Sequence, residues 1–248
     1  MAEQKENPRK NVKHIVLTNV FFNCVTTSSL RRSNCHLYHY AGNNPVRYVD
    51  PEGRELGVDV SSNFTECLKN FFYDISYRIE VSKAVKKIDP SARINYWTGK
   101  ITCRTKGFEG HESGHELISS LVNDPNYKIN IKYSCGDIKF QPPQKTVYWD
   151  SKFHPLLPEL KKDGTVEDVP VKSFISLSHE LIHALHFISG EDISNHGMIY
   201  TGLDNRRHIA YREDVVTIGL GYSYSRSYPT ENSIRKEAKL DPRAYYAN

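Results

Sequence analysis

The stretch SFISLSHELIHALHFI, residues Ser173–Ile188, decides the fold because it lies in the longest helical pattern of the chain, Val171–Ile188. Its apolar residues recur at helical spacing and predict one buried stripe. That stripe comprises Phe174, Leu177, Leu181, Leu185 and Ile188. His179, Glu180 and His183 fall on the other faces. The pattern predicts an amphipathic helix with its metal-binding groups gathered together.

The segment His179–His183 reads H-E-x-x-H. Residues four apart share a helix face at about 6 Å, so the two imidazoles can bind one zinc ion at about 2.0–2.1 Å. Glu180 then adjoins the water on that ion and acts as its general base. Zinc lowers the pKa of such a water to about 7. The motif predicts zinc-dependent hydrolysis of a peptide bond.

A catalytic zinc ion takes a third protein ligand. His186 lies about 10 Å along the helix axis from His179, at a rise of about 1.5 Å per residue, so we expect it to pack or to support a ligand. Glu213 and Asp214 begin an apolar stretch farther along the chain. Either acid suits a site of two histidines and one carboxylate. The alternative is that both acids stabilise a helix N-terminus.

A second H-E-x-x-H occurs at His111–His115. It follows Gly107 and Gly110 and contains Gly114. Glycine in a helix interior costs about 1 kcal/mol relative to alanine. We therefore expect a loop that leads into a helix over Gly114–Val122, and no catalytic zinc at this copy.

Local patterns elsewhere predict both helices and strands. We expect helices over residues 65–87 and 231–239, strands over 56–60, 92–97, 100–104, 128–133 and 145–149, and a surface loop over 150–170. These elements predict an α+β fold. We expect a small sheet beside the active-site helix and a mainly helical C-terminal half.

Composition excludes several classes of protein. The chain has 248 residues and 38% hydrophobic residues, which excludes a disordered polypeptide. The net charge of +4 comes with no dense Lys/Arg segment, so we expect no nucleic-acid partner. Five cysteines without a C-x-x-C pair argue against a disulfide framework. No long apolar run predicts a membrane span, and polar residues interrupt the signal-peptide-like stretch over residues 14–30.

The segment YHYAGNNPVRYVDPEG, Tyr38–Gly53, resembles the end of the core repeat region of RHS/YD-repeat proteins. In those proteins this segment separates a shell from a C-terminal toxin domain. The resemblance implies a linker over residues 37–54. A loosely structured segment, residues 1–36, would precede it, and the toxin domain would cover residues 55–248.

The remainder of the chain resembles the NleD-like effector zinc metallopeptidases. The resemblance rests on SLSHELIHALH (176–186), REDVVTIGL (212–220) and TENSIRKEAKLDPRAYY (230–246), and SGHELISSL (113–121) looks like an earlier helix of the family. It implies a zincin-like fold with one catalytic Zn²⁺. The implied zinc ligands are His179, His183 and Glu213, with Asp214 as the alternative third ligand. The resemblance further implies Glu180 as the general base, and Tyr222 or Tyr224 as the residue that stabilises the oxyanion.

Together these features predict a zinc metalloendopeptidase that acts as an RHS-associated or effector-type toxin on a protein of a target cell. We expect delivery by a dedicated secretion system, with an immunity protein or an RHS shell as further partner. Two alternatives stay open. One is a nuclease-type toxin tip, and the other is a catalytically idle interaction domain that retains the peptidase fold.

Overall fold

A six-stranded mixed sheet and the helices packed on it form the core. A computed structural model describes residues 55–58, 67–190, 196–220 and 228–247. The sheet strands are β1 (Glu55–Val58), β2 (Arg93–Ile94), β3 (Lys100–Thr102), β4 (Lys128–Tyr133), β5 (Lys139–Gln141) and β6 (Thr146–Trp149). Their order in the sheet is β2-β3-β1-β4-β6-β5. Nearly all described residues belong to one compact unit, Asp50–Val60 with Phe72–Asn248.

Three central strands run parallel, β1 beside β4 and β4 beside β6, while β3 and β5 pair antiparallel at their outer sides. Side chains alternate between the two faces of a strand. In β4 this alternation buries Ile129 and Ile131, and in β6 it buries Val147 and Trp149. The sheet therefore offers the helices an apolar face, and β5 is left as an edge strand.

Five helices and two hairpins complete the described part of the chain. The helices are α1 (Cys67–Ile88), α2 (Glu112–Asn123), α3 (Ser173–Ile188), α4 (Arg212–Ile218) and α5 (Glu231–Glu237). The hairpins are β7 (Leu156–Leu160) with β8 (Val166–Pro170), and β9 (Gly197–Thr201) with β10 (Arg207–Tyr211). Within the described ranges, no helix combines the length and apolarity needed to cross a bilayer.

Helix α3 is central because its apolar stripe meets several elements at once. Leu177 and Leu181 are completely buried, and Leu185 is nearly so. The helix packs against α2, α4 and α5, and against strands β5 and β6. Burial of a leucine side chain contributes about 1.5–3 kcal/mol. This packing holds the polar face of α3 between the edge strand β5 and the two C-terminal helices.

The α+β class is confirmed, and two local expectations are wrong. Residues 150–170 contain the hairpin β7/β8 instead of a plain surface loop. Strand β8, VEDVP, is mostly exposed, so it lacks the buried alternation that marks a strand in sequence. The C-terminal half is also less helical than expected, because the hairpin β9/β10 occupies part of it. The predictions for residues 1–36 and 37–54 lie outside the described residues.

Candidate metal centre

The two histidines of the H-E-x-x-H helix converge on one point. His179 and His183 lie one turn apart on α3, and their Nε2 atoms are 3.0 Å apart. Two donors bonded to one zinc ion at about 2.0–2.1 Å and a tetrahedral angle stand about 3.3 Å apart. Each imidazole is mostly buried, with 12% of its side-chain surface exposed. The helix thus presents a preformed pair of nitrogen donors.

Each of these imidazoles has a carboxylate at its opposite nitrogen. His179 Nδ1 lies 2.8 Å from Glu231 Oε2, and His183 Nδ1 contacts Glu213 Oε2. A carboxylate accepts hydrogen bonds, so each Nδ1 carries the proton. The Nε2 atoms then face each other as electron pairs, a repulsive arrangement that only a cation between them relieves. A metal ion or a proton fits that position.

The protonation of His183 agrees with this electrostatic picture. Burial acts to lower the pKa of His183, but its hydrogen bond to Glu213 and the charges of Glu213, Glu180 and Asp214 outweigh burial and raise the pKa. Burial likewise opposes ionisation of Glu213, yet the hydrogen bonds from His183 and His186 lower the pKa of Glu213 to about 2. Glu213 is therefore a permanent anion beside His183 at neutral pH.

The acidic pair Glu213–Asp214 sits in the first turn of α4, directly after β10. The structure brings both acids to His183, but to different sides of the ring. Glu213 contacts Nδ1, whereas Asp214 Oδ1 lies 3.7 Å from Nε2. Burial raises the pKa of Asp214. Asp214 is thus the carboxylate on the side where the two Nε2 atoms meet.

Glu180 connects α3 to the edge of the sheet. Its Oε2 accepts a 2.6 Å hydrogen bond from the backbone N–H of Phe140 in β5. One donor atom from each of His179, Glu180 and His183 lies within 4.8 Å of the others. The Glu180 carboxylate therefore lies between the histidine pair and the outer edge of β5.

Glu231 anchors the site from α5. It is fully buried and contacts Arg235 Nε at 2.7 Å and Arg243 Nη1 at 3.2 Å, besides His179. Burial opposes its ionisation, but the charge of Arg243 and the hydrogen bond from His179 lower the pKa of Glu231. Sequence reasoning missed this role. The available signal was Glu231 four residues before Arg235 in TENSIR, the spacing of a helical ion pair.

The remaining predicted residues concern the surroundings of His179 and His183. His186 is buried and lies 3.4 Å from Glu213 Oε1, so it supports that carboxylate. Tyr222 and Tyr224 lie outside the described residues. Burial and the charge of Asp214 raise the pKa of Tyr246 to about 12. Sequence reasoning missed Tyr246, whose phenol pKa responds to the charges of this site.

The second H-E-x-x-H spans the start of α2. His111 stands at the N-cap position, and the helix begins at Glu112, two residues before the expected start. The prediction of a loop leading into a helix is thus confirmed: His111 precedes the helix, and His115 lies within it, as in the expected helix over Gly114–Val122. Among the described residues, the donor atoms near His115 belong to Asp89 and Cys103, and His111 is not part of that group.

Comparison with known proteins finds no matching family model, no matching curated protein and no matching solved structure. Function is therefore inferred from the donor atoms and geometry of the site.

Proposed function

We propose that this chain is a zinc-dependent endopeptidase that acts as an effector-type or RHS-associated toxin on a protein of a target cell. One observation carries the proposal. The Nε2 atoms of His179 and His183 face each other at 3.0 Å, and both Nδ1 atoms are held by carboxylates. Carboxylate–histidine pairs of this kind orient imidazoles toward a metal ion and raise their basicity.

The donor set fits zinc. Two imidazole nitrogens and one carboxylate oxygen leave a fourth position for water or substrate, as in catalytic zinc sites of zincin-like peptidases. We assign Asp214 as the third ligand in preference to Glu213, because only Asp214 lies on the Nε2 side of His183. Glu213 then orients His183. Zinc bound here would polarise the substrate carbonyl and lower the pKa of water to near neutrality.

The chain's own residues would move the proton and hold the substrate. Glu180 would act as the general base, and the proton it takes would pass to the leaving amine. Its partner Phe140 lies in the edge strand β5, and the outer backbone groups of this strand other than the Phe140 N–H can pair with an extended peptide. An edge strand beside the proposed hydrolytic centre favours a peptide over a nucleic acid as the substrate.

The toxin assignment rests on a different part of the sequence. The segment Tyr38–Gly53 resembles the junction that precedes toxin domains of RHS proteins. Delivery by a secretion system, and an immunity protein or RHS shell as partner, belong to this proposal. These parts of the proposal depend on that segment alone, whereas the proposed metal centre is supported by the geometry of His179 and His183.

Bound zinc and proteolysis test the proposal together. We expect His183→Ala to bind about one equivalent of zinc less than the wild type. Glu180→Gln should keep the wild-type zinc content but lose proteolysis of target-cell extracts by at least about 10²-fold, the scale of general-base catalysis. The second motif supplies matched controls, because Glu112→Gln and His111→Ala should leave both properties unchanged. Full zinc retention by His183→Ala contradicts the site. Undiminished proteolysis by Glu180→Gln contradicts the mechanism, and RNA or plasmid degradation lost in Glu180→Gln would favour the nuclease.

A further inference from the structure

A second group of metal-binding side chains lies away from the H-E-x-x-H helix. It comprises Asp89 after α1, Cys103 after β3 and His115 in α2. One donor atom from each residue lies within 4.8 Å of the other two. His115 Nδ1 is 3.0 Å from Asp89 Oδ2. Three different elements thus bring an oxygen, a sulfur and a nitrogen donor to one place.

Close backbone packing holds this group together. A Cβ atom on Gly114 would lie 1.9 Å from the carbonyl oxygen of Ile88, so only glycine lets α2 approach the end of α1 this closely. A Cβ atom on Gly107 would lie 2.5 Å from Cγ of His115, so the preceding loop covers the imidazole ring. The glycine that argued against a helix in the sequence is therefore the residue that brings His115 to Asp89.

The charges favour a cation. Asp89 is completely buried and also accepts hydrogen bonds from Ser91 N–H at 2.8 Å and Ser91 O–H at 2.9 Å. Ser91 Oγ is 3.4 Å from His115 Nδ1. A buried carboxylate is costly unless a positive charge accompanies it. A divalent ion with one carboxylate and one thiolate has no net charge, which suits this buried position.

The arrangement differs from a cysteine nucleophile with its base. In such a catalytic triad the imidazole lies between the nucleophile and the carboxylate, and each takes one ring nitrogen. Here Cys103 Sγ is within 4.8 Å of an Asp89 oxygen as well as a His115 nitrogen. Three donors clustered around one point are typical of a metal site.

We propose that Asp89, Cys103 and His115 bind a second divalent cation of the zinc class. Sulfur, nitrogen and oxygen donors together suit zinc, which takes thiolate, imidazole and carboxylate ligands in tetrahedral sites. Three protein ligands leave one coordination position for water. Cys103 and His115 are partly exposed, so an ion can reach the site from solvent. The ion would tie α1, β3 and α2 together, independently of the proposed peptidase centre.

Cobalt(II) tests this site selectively, because the His179–His183 centre contains no sulfur ligand. The full-length chain carrying His183→Ala is titrated with Co²⁺ alone, and the sulfur-to-cobalt charge-transfer band in the near ultraviolet is recorded. We expect the band to develop with one equivalent of Co²⁺. Cys103→Ser should abolish it, and the matched variant Cys135→Ser, at an exposed cysteine, should retain it.

A second variant keeps the test decisive if Cys103→Ser fails to fold. His115→Gln should weaken Co²⁺ binding at this site by at least tenfold and leave the helical circular dichroism of the chain unchanged. Absence of the band in the His183→Ala protein overturns the proposal, as does a band that persists in Cys103→Ser. The band in wild-type protein without proteolysis would support this site while contradicting the proposed peptidase.

Discussion

Substitution of the two neighbouring acids of α4 distinguishes the proposed zinc ligand, Asp214, from the residue proposed to support a ligand, Glu213. Asp214→Asn removes the carboxylate that lies 3.7 Å from His183 Nε2, and Glu213→Gln removes the one that contacts His183 Nδ1. Both substitutions keep side-chain size and remove one negative charge. The two variants therefore act on opposite sides of the His183 imidazole, and Glu213→Gln also changes the partner of His186.

The expected losses of zinc affinity differ in size. Zinc in a four-ligand site binds with about 10–16 kcal/mol, or about 2.5–4 kcal/mol per ligand, and about 1.4 kcal/mol corresponds to a tenfold change. Asp214→Asn should thus weaken zinc binding by about 10²–10³-fold. Loss of an outer partner costs about 10–100-fold, so Glu213→Gln should be the milder variant by about tenfold.

The pH dependence gives a second, independent readout. Glu213 is the main cause that raises the pKa of His183, against burial. A protonated imidazole cannot bind zinc, so wild-type affinity should fall as the pH drops through that raised pKa. In Glu213→Gln the pKa of His183 is lower, and the fall should begin at a lower pH. In Asp214→Asn the onset should stay near its wild-type position.

Competition against a chromophoric zinc chelator between pH 5 and 8 measures both effects. Asp204→Asn is the matched control, because Asp204 also lies beside a histidine, His208 at 3.0 Å, but in the β9/β10 hairpin. It should leave zinc affinity unchanged. The reasoning is refuted if Glu213→Gln loses more affinity than Asp214→Asn, or if Asp214→Asn binds zinc like the wild type. Glu213 would then be the third ligand.

Three further predictions concern the supporting structure. Phe140→Pro should have at least tenfold less proteolytic activity than Phe140→Ala. Both variants lose the aromatic ring, but only proline lacks the N–H that donates to Glu180. Equal activities of the two variants would exclude a role for this N–H. Glu231→Gln should lower the free energy of unfolding at pH 7 by about 3–5 kcal/mol in urea denaturation. Folding lowers the pKa of Glu231 below its ordinary value of 4.5, so that difference should be complete above pH 4.5 and shrink as the pH falls. A difference independent of pH would contradict this. In the same assay, Gly114→Ala should lower the free energy of unfolding by about 1–3 kcal/mol, because its Cβ overpacks against Ile88. Gly197→Ala is the control and should have little effect, because its Cβ would lie in open space. Equal losses of stability in the two variants would contradict the packing argument.

The elements with strong periodicity could be predicted from the sequence. The helix over Ser173–Ile188 and the strand Lys128–Tyr133 have apolar residues that are buried because of their spacing, and spacing is local information. The hairpin β7/β8 could not be found in this way. It is held by backbone pairing, and its second strand buries little, so its sequence reads like a loop. Strand β5 is only three residues long, too short to show a period.

The candidate metal centre could likewise be predicted only in part. Spacing alone predicted the convergence of His179 and His183, because four residues make one helical turn. The choice between Glu213 and Asp214 depends on which side of the His183 ring each acid reaches, and that depends on how α4 packs against α3. Adjacent residues in a helix point about 100° apart, so sequence position could not separate them.

The two copies of H-E-x-x-H show what turns a local pattern into a candidate metal centre. Helix geometry acts on the His179–His183 copy alone, since α2 begins after His111. Even so, convergence of two rings would leave their tautomers undetermined. Glu231 and Glu213, from two later helices, fix the proton on each Nδ1 and thereby turn both Nε2 electron pairs toward one point. At the other copy, a distant carboxylate, Asp89, meets His115 on Nδ1 as well, but its companion donor is a thiol from the sheet. The acids and thiols that tertiary packing brings to each copy, more than the five-residue pattern, decide which cation the histidines can hold and what chemistry follows.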